Sequence, residues 1–284
     1  MLVNSNDLLS KALKEGYAIP AYNINNLEWT KYILEACSED KSPVILAVTE
    51  KSANYCGGYK VIYNMVKNLM DSLNIKVPVV LHLDHGSSFE SCKEAINAGF
   101  TSVMLDKSKE NLEENISETN KVIDYANLKN VSVEAEVGAM NEEENHSDAN
   151  IGYANLEDVK TFVLQTGVNS LAPAIGNKHG VYKGEAKIDF ELLGAICKET
   201  KIPIVLHGAS GLDENKIRTA IFCGVCKINI NTDLQIAWSK GVRSFLEYDK
   251  DVYDPRTIIG SGEKSIKSLI HEKNNLFGSK NRAI

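Results

Sequence analysis

Short apolar runs alternate with longer amphipathic stretches from one end of the chain to the other. The apolar runs have the length of buried strands, and the stretches between them repeat their apolar residues with the period of a helix. The predicted strands cover residues 18–22, 44–48, 79–82, 102–105, 131–137, 170–174, 204–207 and 225–230. The predicted helices between them cover residues 30–40, 58–73, 89–98, 115–127, 156–166, 190–200 and 213–223.

Eight strands alternating with helices indicate a (β/α)8 barrel. A doubly wound sheet normally has fewer strands and a glycine-rich first turn, and no Gly-x-Gly-x-x-Gly follows an early strand here. After the last strand, the pattern predicts a helix beginning near Leu234, a break at residues 253–256 and a final helix around residues 263–273. We therefore expect an α/β protein, a (β/α)8 TIM barrel with a C-terminal helical extension, forming a single domain over residues 1–284.

The composition mainly excludes classes of function. A net charge of −7 leaves no basic field to attract nucleic acid. The N-terminus lacks a signal-peptide pattern and no window is apolar enough to span a bilayer, so we expect a cytoplasmic protein without a membrane partner. The six cysteines are scattered, which favours reduced core thiols, and Cys223-Gly224-Val225-Cys226 is interpreted in the same way.

Histidines mark the ends of three predicted strands. His85 follows the third strand, His179 follows the sixth and His207 ends the seventh, each directly before a glycine. Because the carboxyl ends of barrel strands meet at one mouth, we expect these side chains to converge. Three neutral imidazoles suit zinc, with the remaining position open to substrate. His82 has the strand parity of Asp84 and is interpreted as filling the interior or orienting its neighbours.

Carboxylates accompany these histidines. Asp84 precedes His85 and could exchange a proton with bound substrate, the alternative being that it only orients the ligand. Asp106 ends the fourth strand, and Glu134 and Glu136 share one face of the fifth. Charges on an inner strand are costly unless they are neutralised. The pattern therefore predicts either a second, weaker cation site involving Asp106 and Glu136 or a salt bridge in the barrel mouth.

Small and hydroxyl residues follow the last two strands. The seventh strand continues as Gly208-Ala209-Ser210-Gly211, and the eighth ends in Asn229-Ile230-Asn231-Thr232. Such loops expose backbone N–H groups, and they form the recurrent phosphate site of these barrels. A phosphorylated substrate is therefore expected.

Together these segments resemble the class II, metal-dependent fructose-bisphosphate aldolases, in the branch that also contains tagatose-bisphosphate aldolase. The resemblance runs through essentially the whole chain. The motifs that carry it include Tyr22-Asn23-Ile24-Asn25, His82-Leu83-Asp84-His85-Gly86-Ser87-Ser88, Val103-Met104-Leu105-Asp106, Val133-Glu134-Ala135-Glu136, His179-Gly180, Leu206-His207-Gly208-Ala209-Ser210-Gly211, Lys227-Ile228-Asn229-Ile230-Asn231-Thr232 and Tyr253-Asp254-Pro255-Arg256.

The resemblance implies a metal centre and two proton carriers. The implied zinc ligands are His85, His179 and His207, and the residues that match a second divalent or monovalent cation site are Asp106 and Glu136. Asp84 matches the residue that exchanges the proton of the C4 hydroxyl. Glu144 is the best match to the acid that abstracts the C3 proton. The family usually has a Gly-Gly pair ahead of this acid, whereas here Gly138 is followed by Ala139.

The resemblance also implies a set of residues that contact substrate: Asn23, Thr49, Gly180, Gly208, Ala209, Ser210, Asn229, Ile230, Asn231, Thr232 and Arg256. Thr49 stands near the second phosphate, where serine is usual in the family. Arg256 matches an arginine that in the family reaches the far phosphate from a neighbouring subunit. A homodimer or homotetramer is therefore expected.

The implied activity is the reversible, zinc-dependent cleavage of fructose 1,6-bisphosphate to dihydroxyacetone phosphate and glyceraldehyde 3-phosphate, a step of glycolysis and gluconeogenesis. Tagatose 1,6-bisphosphate, which differs at C4, is an alternative substrate, although Asn231-Thr232 and Gly86-Ser87-Ser88 favour fructose. Two alternatives of another class, a zinc hydrolase and a non-catalytic homologue, stay open.

Overall fold

The structure, a computed structural model, describes residues 2–138, 152–180, 182 and 184–283. Eight parallel strands close into a barrel in chain order, which confirms the predicted (β/α)8 architecture. The strands are β1 (Ile19–Asn23), β2 (Val44–Thr49), β3 (Val79–Gly86), β4 (Ser102–Leu105), β5 (Ser132–Val137), β6 (Ser170–Pro173), β7 (Ile204–Leu206) and β8 (Val225–Ile230).

Helices surround the barrel and extend it at the C-terminus. They are α1 (Asn6–Glu15), α2 (Leu27–Glu39), α3 (Glu50–Tyr55), α4 (Tyr59–Ser72), α5 (Phe89–Ala98), α6 (Leu112–Asn127), α7 (Leu156–Thr166), α8 (Phe190–Thr200), α9 (Glu214–Phe222), α10 (Thr232–Tyr248), α11 (Pro255–Gly260) and α12 (Glu263–Leu276). Among the described residues, no helix is both long and apolar enough to cross a membrane. All six cysteines are free.

The sequence pattern missed three of these helices. α1 precedes the first strand, and α3 has only six residues. The predicted break at residues 253–256 is correct for residues 253 and 254, which lie between α10 and α11, but it extends too far, because Pro255 begins α11 and the Asp254 side chain caps it. Proline suits the first turn of a helix, where its missing N–H would have no partner.

The interior of the barrel changes from apolar to polar along the strands. At the start of β3, Val80 packs with Leu9 and Ala12 of α1, which covers the amino end of the barrel. Two residues further along β3 comes the buried His82, and two further comes the buried Asp84. Because strand side chains alternate between faces, these three side chains point the same way. The chemistry is therefore concentrated toward the carboxyl end.

The C-terminal segment is held against the end of α2 by Asp40. Its buried carboxylate accepts hydrogen bonds from His271 Nδ1 at 2.8 Å and Asn274 Nδ2 at 3.0 Å, and Lys280 Nζ lies 2.9 Å away. Its backbone carbonyl accepts from Asn281. Burial alone would raise the pKa of Asp40, but these donors outweigh it and hold the pKa below its usual value.

Replacing Asp40 with asparagine should lower the free energy of unfolding by about 1–3 kcal/mol at pH 7, because a neutral amide binds these donors less well. The folded-state pKa of Asp40 lies below the unfolded one, so its contribution is complete above the unfolded pKa and is lost as the pH falls through the folded pKa. Urea unfolding should therefore show the difference between wild type and variant narrowing as the pH falls from 7 to below about 4. A difference independent of pH would contradict this assignment, and Asp124→Asn on the exposed surface of α6 is the matched control.

Candidate active site

A cavity of ≈ 770 Å³ lies at the carboxyl ends of the strands. This volume is within the usual range for small-molecule sites. Most of the residues singled out from the sequence line it: Asn23, Thr49, Asp84, His85, Asp106, Glu136, His179, Gly180, Gly208, Ser210, Asn229, Asn231 and Thr232. The topology thus brings together residues from every part of the chain.

Three of the remaining residues lie behind the cavity wall. His207 is fully buried and joins the site through His85, whose ring centroid is 4.7 Å from its own. The side chains of Ala209 and Ile230 are buried in the main hydrophobic core, which surrounds the strands of the barrel. These two residues therefore offer a ligand only their backbone groups.

Two predicted residues remain, Arg256 and Glu144. Arg256 does not line the cavity of its own chain. Its side chain is 90% exposed and binds Asp254 through two nitrogens. Glu144, the predicted C3 acid, lies outside the described residues.

The backbone at the end of β3 is strained where it presents His85. This residue has a φ of 53°, in the left-handed region that side chains other than glycine rarely adopt. The register between β3 and β4 shifts at the same place. At the next residue, Gly86, a Cβ would lie 2.6 Å from the carbonyl oxygen of Met104, so only glycine fits. Such strain is typical of functional positions.

The hydrogen bonds of His85 and His207 assign their tautomers. Asp106 accepts from His85 Nδ1 at 2.8 Å, and Glu134 accepts from His207 Nε2 at 3.0 Å. In the neutral rings, the other two nitrogens therefore carry lone pairs, and they face each other at 2.9 Å. Two lone pairs at this distance repel each other unless a positive charge lies beside them.

The surroundings favour that positive charge. Burial disfavours a charged His85, yet the neighbouring Asp84 and Asp106 raise its pKa to about 9. Burial together with His85 lowers the pKa of His179 to about 4, so its ring is neutral and one of its nitrogens offers a lone pair. The ligand atoms of His85, His179 and His207 all lie within 4.8 Å of one another. The donor set and its facing lone pairs thus fit a bound zinc ion.

A second group of possible ligands shares His85. The ligand atoms of His85, Asp106 and Glu136 also lie within 4.8 Å of one another. Asp106 is engaged twice, because Oδ2 accepts from His85 and Oδ1 accepts from the Ser108 hydroxyl at 2.7 Å. When His85 is protonated, it forms a hydrogen-bonded ion pair with Asp106. The two predicted alternatives, a second cation site and a salt bridge, therefore both use the Asp106 carboxylate.

Asp84 is held rigidly beside the histidines. Asn23 donates to its Oδ2 at 2.9 Å, and Asn229 donates to its Oδ1 at 3.0 Å. His85 Nε2 lies 3.9 Å from the same carboxylate. Burial would raise the pKa of Asp84, but His85 and then His207 outweigh burial and hold it well below its usual value. The site therefore contains a fixed, ionised carboxylate that can accept a proton.

A buried ion pair lies directly beneath this site. Lys227 Nζ contacts both oxygens of Glu134 at 2.8 and 2.7 Å, and each side chain is 2% exposed or less. Since Glu134 also accepts from His207 Nε2, the ion pair fixes the orientation of the His207 ring. Lys227 is thus engaged in a salt bridge, which does not suit a Schiff-base nucleophile.

His82 belongs to this buried layer, as the strand parity predicted. Its Nδ1 lies 2.8 Å from the Ser102 hydroxyl, and its Nε2 lies 3.2 Å from Lys227 Nζ. Burial, and then the charge of Lys227, lowers its pKa to about 3. The neutral ring therefore accepts a hydrogen bond from Lys227 and supports the layer below the site.

The loops after β7 and β8 form one wall of the cavity. Gly208 has a φ of 64°, and a Cβ there would lie 2.2 Å from the carbonyl oxygen of Lys178, so two loops meet where only glycine fits. The Tyr182 hydroxyl donates to the Gly208 carbonyl at 2.9 Å. Asn231 precedes α10 without capping it through its side chain. The Asp233 N–H at this helix end donates to the Ser210 hydroxyl at 3.3 Å, which leaves the other N–H groups of the first turn for an anion.

Sequence reasoning missed several residues of the opposite wall: Lys51, Ser87, Lys107, Ser108, Lys109 and Glu110. They follow β2, β3 and β4 by one to five residues. The signal was present, because polar residues directly after the strands of such a barrel face the mouth.

Comparison with known proteins gives one consistent family. The family model described as "Fructose-bisphosphate aldolase class-II" matches residues 3–282. A relative from Geobacillus stearothermophilus, named fructose-bisphosphate aldolase, is 50% identical over 283 residues that cover 99% of each chain. A relative of the same name from Staphylococcus aureus is 49% identical over the same length and shares of coverage.

Solved structures agree with this result. The YdjI aldolase from Escherichia coli K12 superposes with a TM-score of 0.87 at 32% identity and covers 100% of both chains. A fructose-bisphosphate aldolase from Campylobacter jejuni superposes with a TM-score of 0.85 at 28% identity, covering 99% of this chain and 96% of its own.

Proposed function

Because the chain belongs to the class II fructose-bisphosphate aldolase family, we propose that it cleaves fructose 1,6-bisphosphate reversibly to dihydroxyacetone phosphate and glyceraldehyde 3-phosphate. One observation carries this proposal: Asp84 and the cluster of His85, His179 and His207 meet at the carboxyl end of the barrel.

His85, His179 and His207 would hold a zinc ion. When bound, it supplies Lewis acidity that polarises the ketone carbonyl of the substrate. Asp106 and Glu136, whose ligand atoms lie within 4.8 Å of that of His85, would hold a second cation. Glu134 holds the His207 ring through Nε2 and leaves Nδ1 for the metal.

Asp84 accepts the proton of the C4 hydroxyl during cleavage. As this proton leaves, the C4–O bond becomes a carbonyl, the C3–C4 bond breaks, and its electron pair stays with C3. Asn23 and Asn229 hold the carboxylate in place for this transfer. C3 then takes up a proton from an acid, for which the sequence offers Glu144. In the condensation direction the same groups act in reverse.

The phosphate of the dihydroxyacetone half would bind between the β7 and β8 loops. Gly208, Ser210 and Thr232 line that wall, Gly180 of the β6 loop lines the same cavity, and together they offer backbone N–H groups and hydroxyls. The buried Oδ1 atoms of Asn229 and Asn231 have no hydrogen-bond partner among the described residues, so they suit substrate hydroxyls. These groups bind and orient the ketose so that its C4 hydroxyl faces Asp84.

A second copy of the chain would complete the site. Arg256 is exposed and lies outside the cavity of its own subunit. In a homodimer or homotetramer, it would enter the cavity of the neighbouring subunit and contact the far phosphate.

A coupled assay tests the proposed activity. Purified protein should release triose phosphates from fructose 1,6-bisphosphate faster than from tagatose 1,6-bisphosphate. A chelator should abolish turnover, zinc should restore it, and borohydride should trap no substrate adduct because no Schiff base forms. Preference for the tagatose substrate would reassign the specificity. Release of inorganic phosphate, or no turnover at full zinc occupancy, would overturn the proposal.

A further inference from the structure

Lysines line one wall of the cavity. This wall lies opposite the loops that are proposed to bind the first phosphate. Lys51 lies two residues after the end of β2, and Lys107 lies two residues after the end of β4. Both line the same cavity as Asp84 and the histidines, together with Lys109. No role followed from the sequence for any of the three.

The strand order places this wall across the mouth from the β7 and β8 loops. In a closed barrel of eight strands, β2 is four strands from β6, β3 is four from β7, and β4 is four from β8. The loops after β2 to β4 therefore lie opposite the loops after β6 to β8. Asp84 and His85, at the end of β3, line the same cavity. A ligand with an anion at each end would span the cavity.

The carboxylates nearest along the chain are already engaged. Glu50 Oε1 accepts from the backbone N–H of Ser87 at 2.8 Å and from its hydroxyl at 2.9 Å. Both oxygens of Asp106 accept hydrogen bonds from other side chains. Within the described ranges, neither Lys51 nor Lys107 forms an ion pair with a carboxylate. Their ammonium groups are therefore available to an anion in the cavity.

Thr49 is less able to serve that anion. Its hydroxyl donates to the Ser52 hydroxyl at 3.1 Å and accepts from the Ser52 N–H at 3.1 Å. A hydroxyl has one proton to donate, and here Ser52 takes it. A phosphate in this part of the cavity needs hydrogen-bond donors, and the ammonium group of each lysine supplies three N–H donors.

We propose that Lys51 and Lys107 bind the C6 phosphate of the ketose bisphosphate from within the same subunit and thereby select bisphosphates over ketose 1-phosphates. This inference rests on the proposed function. The lysines act on the same phosphate as Arg256 of a neighbouring copy. Their charges favour binding of the bisphosphate, and their side chains do not contact the atoms that react.

Calorimetry on the zinc-loaded protein tests the inference without turnover. The probes are glucitol 1,6-bisphosphate, which has no carbonyl and cannot be cleaved, and dihydroxyacetone phosphate, which lacks the second phosphate. Each single variant, Lys51→Ala and Lys107→Ala, should bind the bisphosphate about 5-fold more weakly, and the double variant about 25-fold. Dihydroxyacetone phosphate should bind within about twofold of wild type, since its contacts lie on the opposite wall.

Three controls make the result specific. Lys67→Ala removes one charge from the exposed surface of α4, outside the cavity, and should change neither affinity. The double variant Lys51→Arg with Lys107→Arg keeps both charges and should retain most of the affinity. In parallel, kcat/KM for fructose 1,6-bisphosphate should fall in the double alanine variant, whereas kcat/KM for fructose 1-phosphate should not.

The outcomes separate the two proposals. Unchanged affinity for the bisphosphate in the double alanine variant overturns the inference, and so does an equal loss for both probes. A wild type that binds the bisphosphate no more tightly than dihydroxyacetone phosphate also overturns it. A wild type that binds the bisphosphate through these lysines but cleaves neither fructose phosphate supports the inference and contradicts the proposed function.

Discussion

Replacing Asp84 with asparagine should lower kcat for fructose 1,6-bisphosphate cleavage about 10³-fold, the size expected for loss of a general base. The amide cannot take up the proton of the C4 hydroxyl at neutral pH. The proposed zinc ligands are the three clustered histidines and do not include Asp84. The variant should therefore still bind about one equivalent of zinc per chain. The coupled assay gives kcat, and elemental analysis gives the metal content.

A second measurement separates this role from general damage to the site. In deuterated water, the Asp84→Asn variant should still exchange the C3 proton of dihydroxyacetone phosphate, because the proposed carrier of that proton is a different acid, Glu144. NMR follows this exchange directly. Loss of exchange and of cleavage in parallel would argue against a role confined to C4, and a kcat near wild type would exclude Asp84 as the base. Asp213→Asn at the exposed start of α9 is the control, since asparagine also caps a helix.

Replacing Lys227 with methionine should lower the free energy of unfolding by about 3–5 kcal/mol, because it leaves the Glu134 carboxylate charged and buried without its cation. Both side chains of this pair are almost inaccessible, so water cannot replace the lost partner. The variant should also bind zinc more weakly, because Glu134 orients the His207 ring. Urea unfolding of the metal-free protein measures the first effect, and zinc titration measures the second.

A double variant shows whether the unpaired charge is the cause. Lys227→Met combined with Glu134→Gln should be more stable than Lys227→Met alone, because the amide carries no charge and its oxygen still accepts from His207. Arg218→Ala removes the cation of an exposed pair with Glu214 and should cost less than about 1 kcal/mol. A double variant less stable than the single one would show that the charge itself is not what destabilises the interior.

The sequence pattern predicted the barrel well because each strand is a local signal. The apolar runs at residues 102–105 and 225–230 coincide with β4 and β8, and five others match their strands to within one residue at each end. The run at residues 79–82 covers only the first half of β3, because the strand continues through the polar residues up to Gly86. Errors arose where local signals were weak or ambiguous. α1 lies outside the strand and helix alternation, and Pro255 was interpreted as a break although proline equally begins a helix.

The histidines and carboxylates of the candidate site were predicted correctly as residues of the barrel mouth. These residue types have few other reasons to stand at the end of an apolar strand. The lysines at 51 and 107 were missed because lysine after a strand is common and carries no such signal. The role of Glu134 was also missed. Its parity with Glu136 placed both on one face, but only the contact with Lys227 shows that Glu134 serves the buried layer.

The sequence by itself determined the eight strands, the family and the residues placed at the mouth, because strand length, side-chain alternation and strand-end chemistry are properties of short segments. Only the tertiary structure decided which of these residues meet. Asp84 and Asn229 are 145 positions apart, and Glu134 and Lys227 are 93 apart, yet each pair is in hydrogen-bond contact. The physical reason is closure of the barrel, which brings the carboxyl ends of all eight strands to one opening and sets β3 across from β7.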